Sequence, residues 1–247
     1  MNIAIIGSGP SAFYAAQSFS NNEKLKVDII EKFFAPYGLV RYGVAPDHQK
    51  TKNIIKLFNR VLEKDNVNFF GNINVPKDIS LDFLSENYDA VLIATGASDD
   101  KLLNIEGENI EGVYGSAEFV GWYNDNPEYS NLEPNLNSKN VIIIGNGNVA
   151  LDCARILAKT NEELYGSDIS KKNLKLLSNA KIDNIYVIGR RGPKDAKFTI
   201  SELREFKEIN EFSVKLNYPR ELLTKYLDDK TIDTRVKKNL EVFDEFY

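Results

Sequence analysis

Short apolar runs rich in β-branched residues recur along the chain and alternate with stretches whose apolar residues follow a helical period. Runs of this length, bounded by polar and turn residues, are typical of buried strands in a parallel sheet. Their alternation with helices predicts an α/β fold in which helices cover the sheet faces. Strands are predicted at residues 3–6, 27–30, 67–70, 90–94, 141–144 and 185–188.

Helices are predicted directly after glycine-rich turns or a proline-containing loop, at residues 11–19, 51–62 and 149–157. The segment 124–140 is crowded with turn residues and separates two strand–turn–helix units, so a domain boundary is expected near it or somewhat earlier. In the second unit, residues 161–179 are predicted to form an inserted helix or loop.

Composition and charge narrow the class of protein. The 247 residues are 43% apolar and 27% charged, which is ordinary for a globular chain of one large or two smaller domains. A net charge of −5 argues against general binding to nucleic acid or a membrane surface, although a local basic patch stays possible. The single cysteine, Cys153, excludes an internal disulfide and an iron–sulfur cluster held by this chain alone, and it is expected as a small buried side chain. No apolar run of ~18 residues and no signal-type segment occur, which predicts a cytoplasmic protein without membrane insertion.

The first strand–turn–helix unit carries a dinucleotide-binding fingerprint, Gly7-x-Gly9-x-x-Ala12. The first glycine permits a tight turn, the second lets the backbone approach a pyrophosphate, and the small third residue lets helix and strand pack closely. Glu31 ends the next strand, where a carboxylate accepts hydrogen bonds from a ribose diol and repels a 2′-phosphate. The unit is therefore predicted to bind FAD or NAD(H), and the alternative is a tight turn without a ligand.

The second unit repeats the fingerprint as Gly145-x-Gly147-x-x-Ala150, but the strand that follows ends in Arg190 and Arg191. Two guanidinium groups beside the adenosine ribose suit a doubly charged 2′-phosphate, because each can form bidentate hydrogen bonds with it. The pair therefore predicts NADP(H), and the alternative is a solvated loop. Two dinucleotide sites of opposite preference in one chain imply transfer of a hydride from NADPH to a flavin.

Several longer sequence motifs resemble those of one known family. The chain contains "EKFFAPYGLVRYGVAPDHQKTKN", "FVGWYN", "GNGNVALDCARIL" and "VIGRRGPKDAKFTISELRE", and from Met1 to about Glu205 it resembles adrenodoxin reductase and the bacterial NADPH-ferredoxin reductases. This resemblance implies an oxidoreductase of electron transport: a flavoprotein that passes electrons from NADPH through FAD to a ferredoxin-type iron–sulfur protein. It implies two Rossmann-like, three-layer domains, with an FAD domain (1–98) interrupted by an NADP domain (99–247) and incomplete at its C-terminal side.

The resemblance also assigns site residues. For FAD it implies Ser11, Glu31, Leu39 and Val75, in addition to the glycines and Ala12 of the first fingerprint. For NADP it implies Asn146, Gly147, Asn148, Val149, Arg190, Arg191 and Glu202. Around the reacting centre it implies His48, Asp152 and Glu205. No metal site is predicted. Taken as residues alone, Glu202 fits a solvated helix position, Asp152 fits a first-turn helix acid, and His48 fits an ordinary surface or core histidine.

The partner and two alternative functions complete the predictions. Because ferredoxins are acidic, a basic docking face is expected, and its candidates are Arg235, Lys237 and Lys238, although a solvated helix face would look the same. One alternative is a nucleotide-binding module without activity of its own, which a second chain would complete. The other is an electron-transfer protein like the small subunit of glutamate synthase. That relative carries cysteine clusters before its first fingerprint, and their absence from this sequence argues against this alternative.

Overall fold

The computed structural model describes residues 1–97 and 99–247. Ser98, the last residue of the first predicted domain, lies outside the described residues, and the domain boundary predicted there stays a prediction. The described residues form two compact units, which are Met1–Ile110 with Val120–Leu132, and Glu111–Phe119 with Glu133–Tyr247.

The first unit is built on a parallel sheet. Its strands are β1 (Asn2–Ile6), β2 (Lys26–Ile30), β3 (Val67–Phe70) and β4 (Ala90–Ile93). Its helices are α1 (Pro10–Phe19), α2 (Leu39–Tyr42), α3 (Gln49–Lys52), α4 (Ile55–Leu62) and α5 (Leu81–Asn87). The strands lie in the order β3-β2-β1-β4, and every neighbouring pair is parallel. All four strands begin and end within one residue of the predicted bounds.

Alternation along the strands divides the first unit into layers. Ile3 and Ile5 of β1 face α1 and α4, where they share a core with Phe13 and Phe58. Ala4 of β1 and its neighbours on the opposite face pack against α5. Successive side chains of a strand point to opposite faces, so both faces of this sheet are covered, as its apolar strands require.

The helix predicted over residues 51–62 is wrong in one respect, because the structure divides this stretch between α3 and α4. The N–H of Lys56 donates to the carbonyl of Asn53 at 3.0 Å, a spacing of three residues that marks a tighter turn than an α-helix. Lys52 is buried, and its ammonium donates to Asn124 Oδ1 at 3.4 Å. A partner 72 positions away cannot be foreseen from a local pattern.

The second unit holds a two-stranded parallel sheet of β5 (Asn140–Ile144) and β6 (Asn184–Ile188). Helix α6 (Ser116–Tyr123) contains residues of both units. The other helices are α7 (Asn148–Ala158), α8 (Lys171–Ser178), α9 (Ile200–Glu205), α10 (Arg220–Asp228) and α11 (Thr234–Asp244). The insertion predicted at residues 161–179 therefore contains a helix, α8.

One face of the β5–β6 sheet is exposed. Leu151 of α7 packs with buried residues of α9, α10 and α11 in a core that Val187 of β6 also contacts. The opposite face of the sheet carries four apolar side chains that are 47% to 62% exposed: Ile142, Ile144, Tyr186 and Ile188. Parallel sheets are normally covered on both faces, so the described residues leave this face without the layer that such sheets carry.

The predicted α/β fold with Rossmann-like parallel units is confirmed. Cys153 is buried in α7, as expected of a small apolar side chain. Among the residues that the structure describes, none of the helices has the length and apolar character that crossing a membrane requires.

Candidate functional site

The first fingerprint forms the turn between β1 and α1. Gly7 has φ +100°, a region that favours glycine, and a Cβ there would collide with the Ala94 carbonyl. Gly9 caps α1, and a Cβ built on it would meet nothing within 4 Å. The backbone of this turn therefore borders open space at the position where close approach of a ligand was predicted.

The start of α1 is suited to an anion. Its glycine cap offers no side-chain acceptor, and its first turn contains no acidic residue, so the helix's free N–H groups and partial positive charge are not neutralised there. Ala12 is fully buried against the sheet, and Ser11 beside it is exposed. Leu39 is also exposed, whereas Val75 packs against the core on the α5 side of the sheet.

Glu31 is bonded directly to this turn. Its Oε2 accepts hydrogen bonds from the N–H of Ser8 at 2.9 Å and from Ser8 Oγ at 2.6 Å, and its Oε1 accepts from the N–H of Phe33 at 3.1 Å. A carboxylate has about four acceptor positions, so three donors leave roughly one for a ribose hydroxyl. Both Glu31 and Ser8 are buried. Ser8 was missed from the sequence, although its place between the two glycines was the available signal.

The second fingerprint repeats this arrangement between β5 and α7. Gly147 caps α7 without a side-chain hydrogen bond, its own Cβ position opens on free space, and the first turn again holds no acid. Asn146 lies under the end of β6, because Gly189 has no side chain there: a Cβ on Gly189 would be 2.7 Å from Asn146 Nδ2. The turn and the end of β6 are thus in contact.

The segment that follows β6 is hydrogen-bonded to the same turn. The N–H of Lys197 donates to the carbonyl of Asn146 at 2.8 Å, and the N–H of Thr199 donates to Asn148 Oδ1 at 2.8 Å. Both asparagines, which were predicted to line the turn, therefore also fix the chain beyond β6. Val149 is exposed at the start of α7.

Arg190 and Arg191 follow β6 after Gly189, and both are exposed. Arg191 Nη1 lies 4.0 Å from Asp195 Oδ1, which is the limit of an ion pair and leaves most of the guanidinium open to water. They lie, as predicted, beyond the carboxyl end of a strand beside a fingerprint turn. Their binding of a 2′-phosphate stays a prediction.

Three predicted acids meet at one arginine that the sequence analysis did not identify. Arg155 is fully buried, and its Nη1 lies 2.8 Å from Asp152 Oδ1 and 3.2 Å from Glu202 Oε2. Its Nε lies 3.2 Å from Glu205 Oε2. We call these four residues the Arg155 cluster. A basic residue three positions after Asp152 in an otherwise apolar helix was the signal that could have revealed it.

The Arg155 cluster connects two helices. Asp152 and Arg155 belong to α7, whose first turn carries the second fingerprint, and Glu202 and Glu205 belong to α9. Three carboxylates share this guanidinium, so each acid is held at a fixed position relative to the turn.

The remaining predicted residues belong to other elements of the chain. His48 precedes α3 in the first unit and is half-buried; its N–H donates to the Ala45 carbonyl at 3.0 Å. In α11, Arg235 and Lys238 are one turn apart and exposed, so they share a face, whereas Lys237 points elsewhere and is half-buried.

Residues 1–175 match the model of the pyridine nucleotide-disulphide oxidoreductases. The chain is 41% identical over 242 residues to the mitochondrial NADPH:adrenodoxin oxidoreductase of Arabidopsis thaliana, which covers 97% of this chain and 50% of that protein. It is 44% identical over 226 residues to the NADPH-ferredoxin reductase FprA of Mycobacterium tuberculosis. That match covers 89% of this chain and 49% of FprA.

The solved structure of Mycobacterium tuberculosis FprA in complex with NADPH superposes on this chain with a TM-score of 0.93 at 41% identity, covering 99% of this chain and 55% of that one. The resemblance that the sequence motifs indicated is therefore confirmed. The chain spans about half the length of the curated relatives it matches.

Proposed function

The chain belongs to the pyridine nucleotide-disulphide oxidoreductase family, and from this premise we propose that it binds FAD in its first unit and NADP(H) in its second. In this proposal it serves as an oxidoreductase of the ferredoxin–NADP reductase type, carrying electrons from NADPH through FAD to a ferredoxin-type iron–sulfur protein. Bound FAD would supply the chemistry that the side chains lack, since it accepts a hydride and gives up electrons singly.

The residues of the first unit fit FAD. The open backbone at Gly9 and the uncapped start of α1 suit the pyrophosphate. Glu31 is buried at the turn with acceptor capacity left for a ribose hydroxyl, and its charge disfavours a 2′-phosphate. Ser11 and Leu39 are exposed and accessible to such a ligand, whereas we expect Val75 to contribute through the packing beneath it.

The residues of the second unit fit NADP(H). The turn opens on free space at Gly147, before the start of α7, which no side chain caps. We assign the 2′-phosphate to Arg190 and Arg191, whose guanidinium groups are exposed; among the described residues, Arg191 forms a long ion pair with Asp195 at 4.0 Å. The opposite charge at the two strand ends, a buried carboxylate in one unit and two exposed guanidiniums in the other, is the observation that carries the proposal.

We assign the positioning of the reacting groups to His48, Asp152 and Glu205, and a contact with the nucleotide to Glu202. Hydride transfer depends on distance and orientation more than on a strong acid or base. Bonding to Arg155 fixes the acids, since a side chain held by a buried ion pair keeps one rotamer.

We place the ferredoxin contact on α11. Arg235 and Lys238 present two positive charges on one exposed face, which suits an acidic partner, and half-buried Lys237 adds a third positive charge to the same helix.

The test is nucleotide binding measured by calorimetry, together with the visible absorption spectrum of the purified protein. Wild-type protein should bind NADP⁺ much more tightly than NAD⁺. Replacing Arg190 and Arg191 by alanine should weaken the affinity for NADP⁺ by about a hundredfold, because two sets of charge-assisted hydrogen bonds are lost. The affinity for NAD⁺ should stay unchanged. Replacement of exposed Arg204 by alanine is the matched control. Equal losses for both nucleotides would contradict the assignment of the 2′-phosphate.

A second candidate is a nucleotide-binding module that another polypeptide completes. The exposed apolar face of the β5–β6 sheet favours it. This candidate predicts that the protein binds NADP⁺ but is colourless and cannot reduce a dye. A yellow protein whose visible absorbance NADPH bleaches would exclude it in favour of the first.

A further inference from the structure

The stretch 189–197 is strongly basic in an acidic chain. It contains four basic residues, Arg190, Arg191, Lys194 and Lys197, and one acid, Asp195, whereas the whole chain has a net charge of −5. The two arginines have a proposed ligand and Lys194 lies over the Tyr226 ring, with its ammonium 5.1 Å from the ring centre. The fourth basic residue, Lys197, has neither a proposed ligand nor an aromatic ring beneath it among the described residues.

Lys197 is held beside the second fingerprint turn by its own backbone. Its N–H donates to the carbonyl of Asn146 at 2.8 Å, and Asn146 is the residue between Gly145 and Gly147. An extended lysine side chain spans roughly 6 Å, from five bonds of about 1.5 Å. The Lys197 side chain is exposed and the space in front of the Gly147 backbone is open, so a side chain of this length can extend from its backbone anchor towards that space.

We propose that Lys197 is a further nucleotide-binding residue, whose ammonium binds the pyrophosphate of NADP(H). The inference rests on the proposed function, because it requires that a dinucleotide occupies the second unit. A lysine is suited to this place because it acts as a mobile point charge towards phosphate oxygens. The two arginines, by contrast, follow the end of β6, where the adenosine ribose is expected.

The location separates the pyrophosphate from the 2′-phosphate. The backbone of Lys197 is bonded to the turn itself, and Thr199 fixes the same segment through Asn148 at the start of α7. Both anchors lie at the helix N-terminus, which is where a pyrophosphate binds in this fold. The ammonium therefore adds charge to a site that the backbone N–H groups already favour for an anion.

The experiment compares three ligands on wild-type protein and on the Lys197→Gln variant by titration calorimetry. NADP⁺ and NAD⁺ both carry the pyrophosphate, whereas adenosine 2′-monophosphate carries only the 2′-phosphate. The variant should bind both dinucleotides about tenfold more weakly, as expected for one charge-assisted contact at an exposed site, and should bind the monophosphate as wild-type does. Lys197→Arg should keep most of the affinity, because it retains the charge.

Lys194→Gln is the matched control, since it removes one positive charge from the same segment at a position held over Tyr226; its affinities should stay at the wild-type values. Unchanged dinucleotide binding by Lys197→Gln would overturn the inference. Weaker binding of NADP⁺ and the monophosphate with unchanged NAD⁺ would also overturn it and assign the lysine to the 2′-phosphate. If wild-type protein bound none of the three, the proposed function itself would fail.

Discussion

Replacement of Arg155 by methionine is the sharpest test of the Arg155 cluster. Methionine fills a similar volume and keeps the apolar stem, so the change removes mainly the charge and its hydrogen bonds. The guanidinium is 0% exposed and lies 2.8 to 3.2 Å from three carboxylates, whose side chains are 13%, 15% and 31% exposed. Without it, three negative charges face one another in a largely buried space.

Removing one partner of a buried ion pair costs about 3–5 kcal/mol in the free energy of unfolding. The acids keep some access to water, so we expect the lower end, about 3 kcal/mol. For a chain of this size that corresponds to a fall in melting temperature of about 6–12 °C. With lysine at the same position, the free energy of unfolding should lie between those of Arg155→Met and the wild-type protein. One ammonium keeps the positive charge but cannot donate to three acids in the geometry of arginine.

Thermal denaturation followed by circular dichroism measures this loss, and hydrogen exchange locates it. Amides of α7 and α9 should exchange faster in Arg155→Met, because the two helices lose their polar connection. The matched control is Arg204→Met, which removes an exposed arginine from α9 and should change stability by no more than about 0.5 kcal/mol. If the two variants unfolded within that margin of each other, the reasoning about the buried guanidinium would be refuted.

Two further predictions concern the surface and the pH dependence. Charge reversal at Arg235 and Lys238 should slow ferredoxin reduction mainly through association and leave reduction of a small dye by NADPH unchanged; an equal loss of both would argue against docking on α11. Glu163→Gln should destabilise the protein most at neutral pH. Burial acts to raise the pKa of Glu163, but hydrogen bonds from Thr160 and Asn210 outweigh it and hold that pKa below 4.5. Its contribution is therefore complete above the unfolded-state pKa and lost as pH falls through the folded one, so urea denaturation should find the difference between variant and wild-type shrinking in acid.

The two fingerprint turns were predictable because their requirements are local. A positive φ at Gly7 and the absence of a side chain at Gly9 follow from the geometry of a strand that turns directly into a helix. The placement of Glu31 at the end of β2 follows equally from the strand period. What the sequence did not reveal is that Ser8 uses both its N–H and its hydroxyl to hold that carboxylate.

The division between α3 and α4 shows where local patterns stop. Apolar periodicity continued across residues 51–62, and nothing in that window marks Lys52 as buried. Its partner, Asn124, belongs to a distant part of the chain, so only the folded unit could decide that the helix must turn there.

The sequence by itself determined the strands, the glycine turns and the opposite charges at the two strand ends, because period, backbone dihedral and side-chain type are properties of neighbouring residues. The tertiary structure alone decided that Arg155 meets Glu202 across 47 positions and that Lys197 is bonded to the turn at Asn146. The physical reason is burial. Whether a charged group has a partner depends on which distant segments the fold brings beside it, and removing such a group from water is tolerable only where those segments supply the opposite charge or a hydrogen bond.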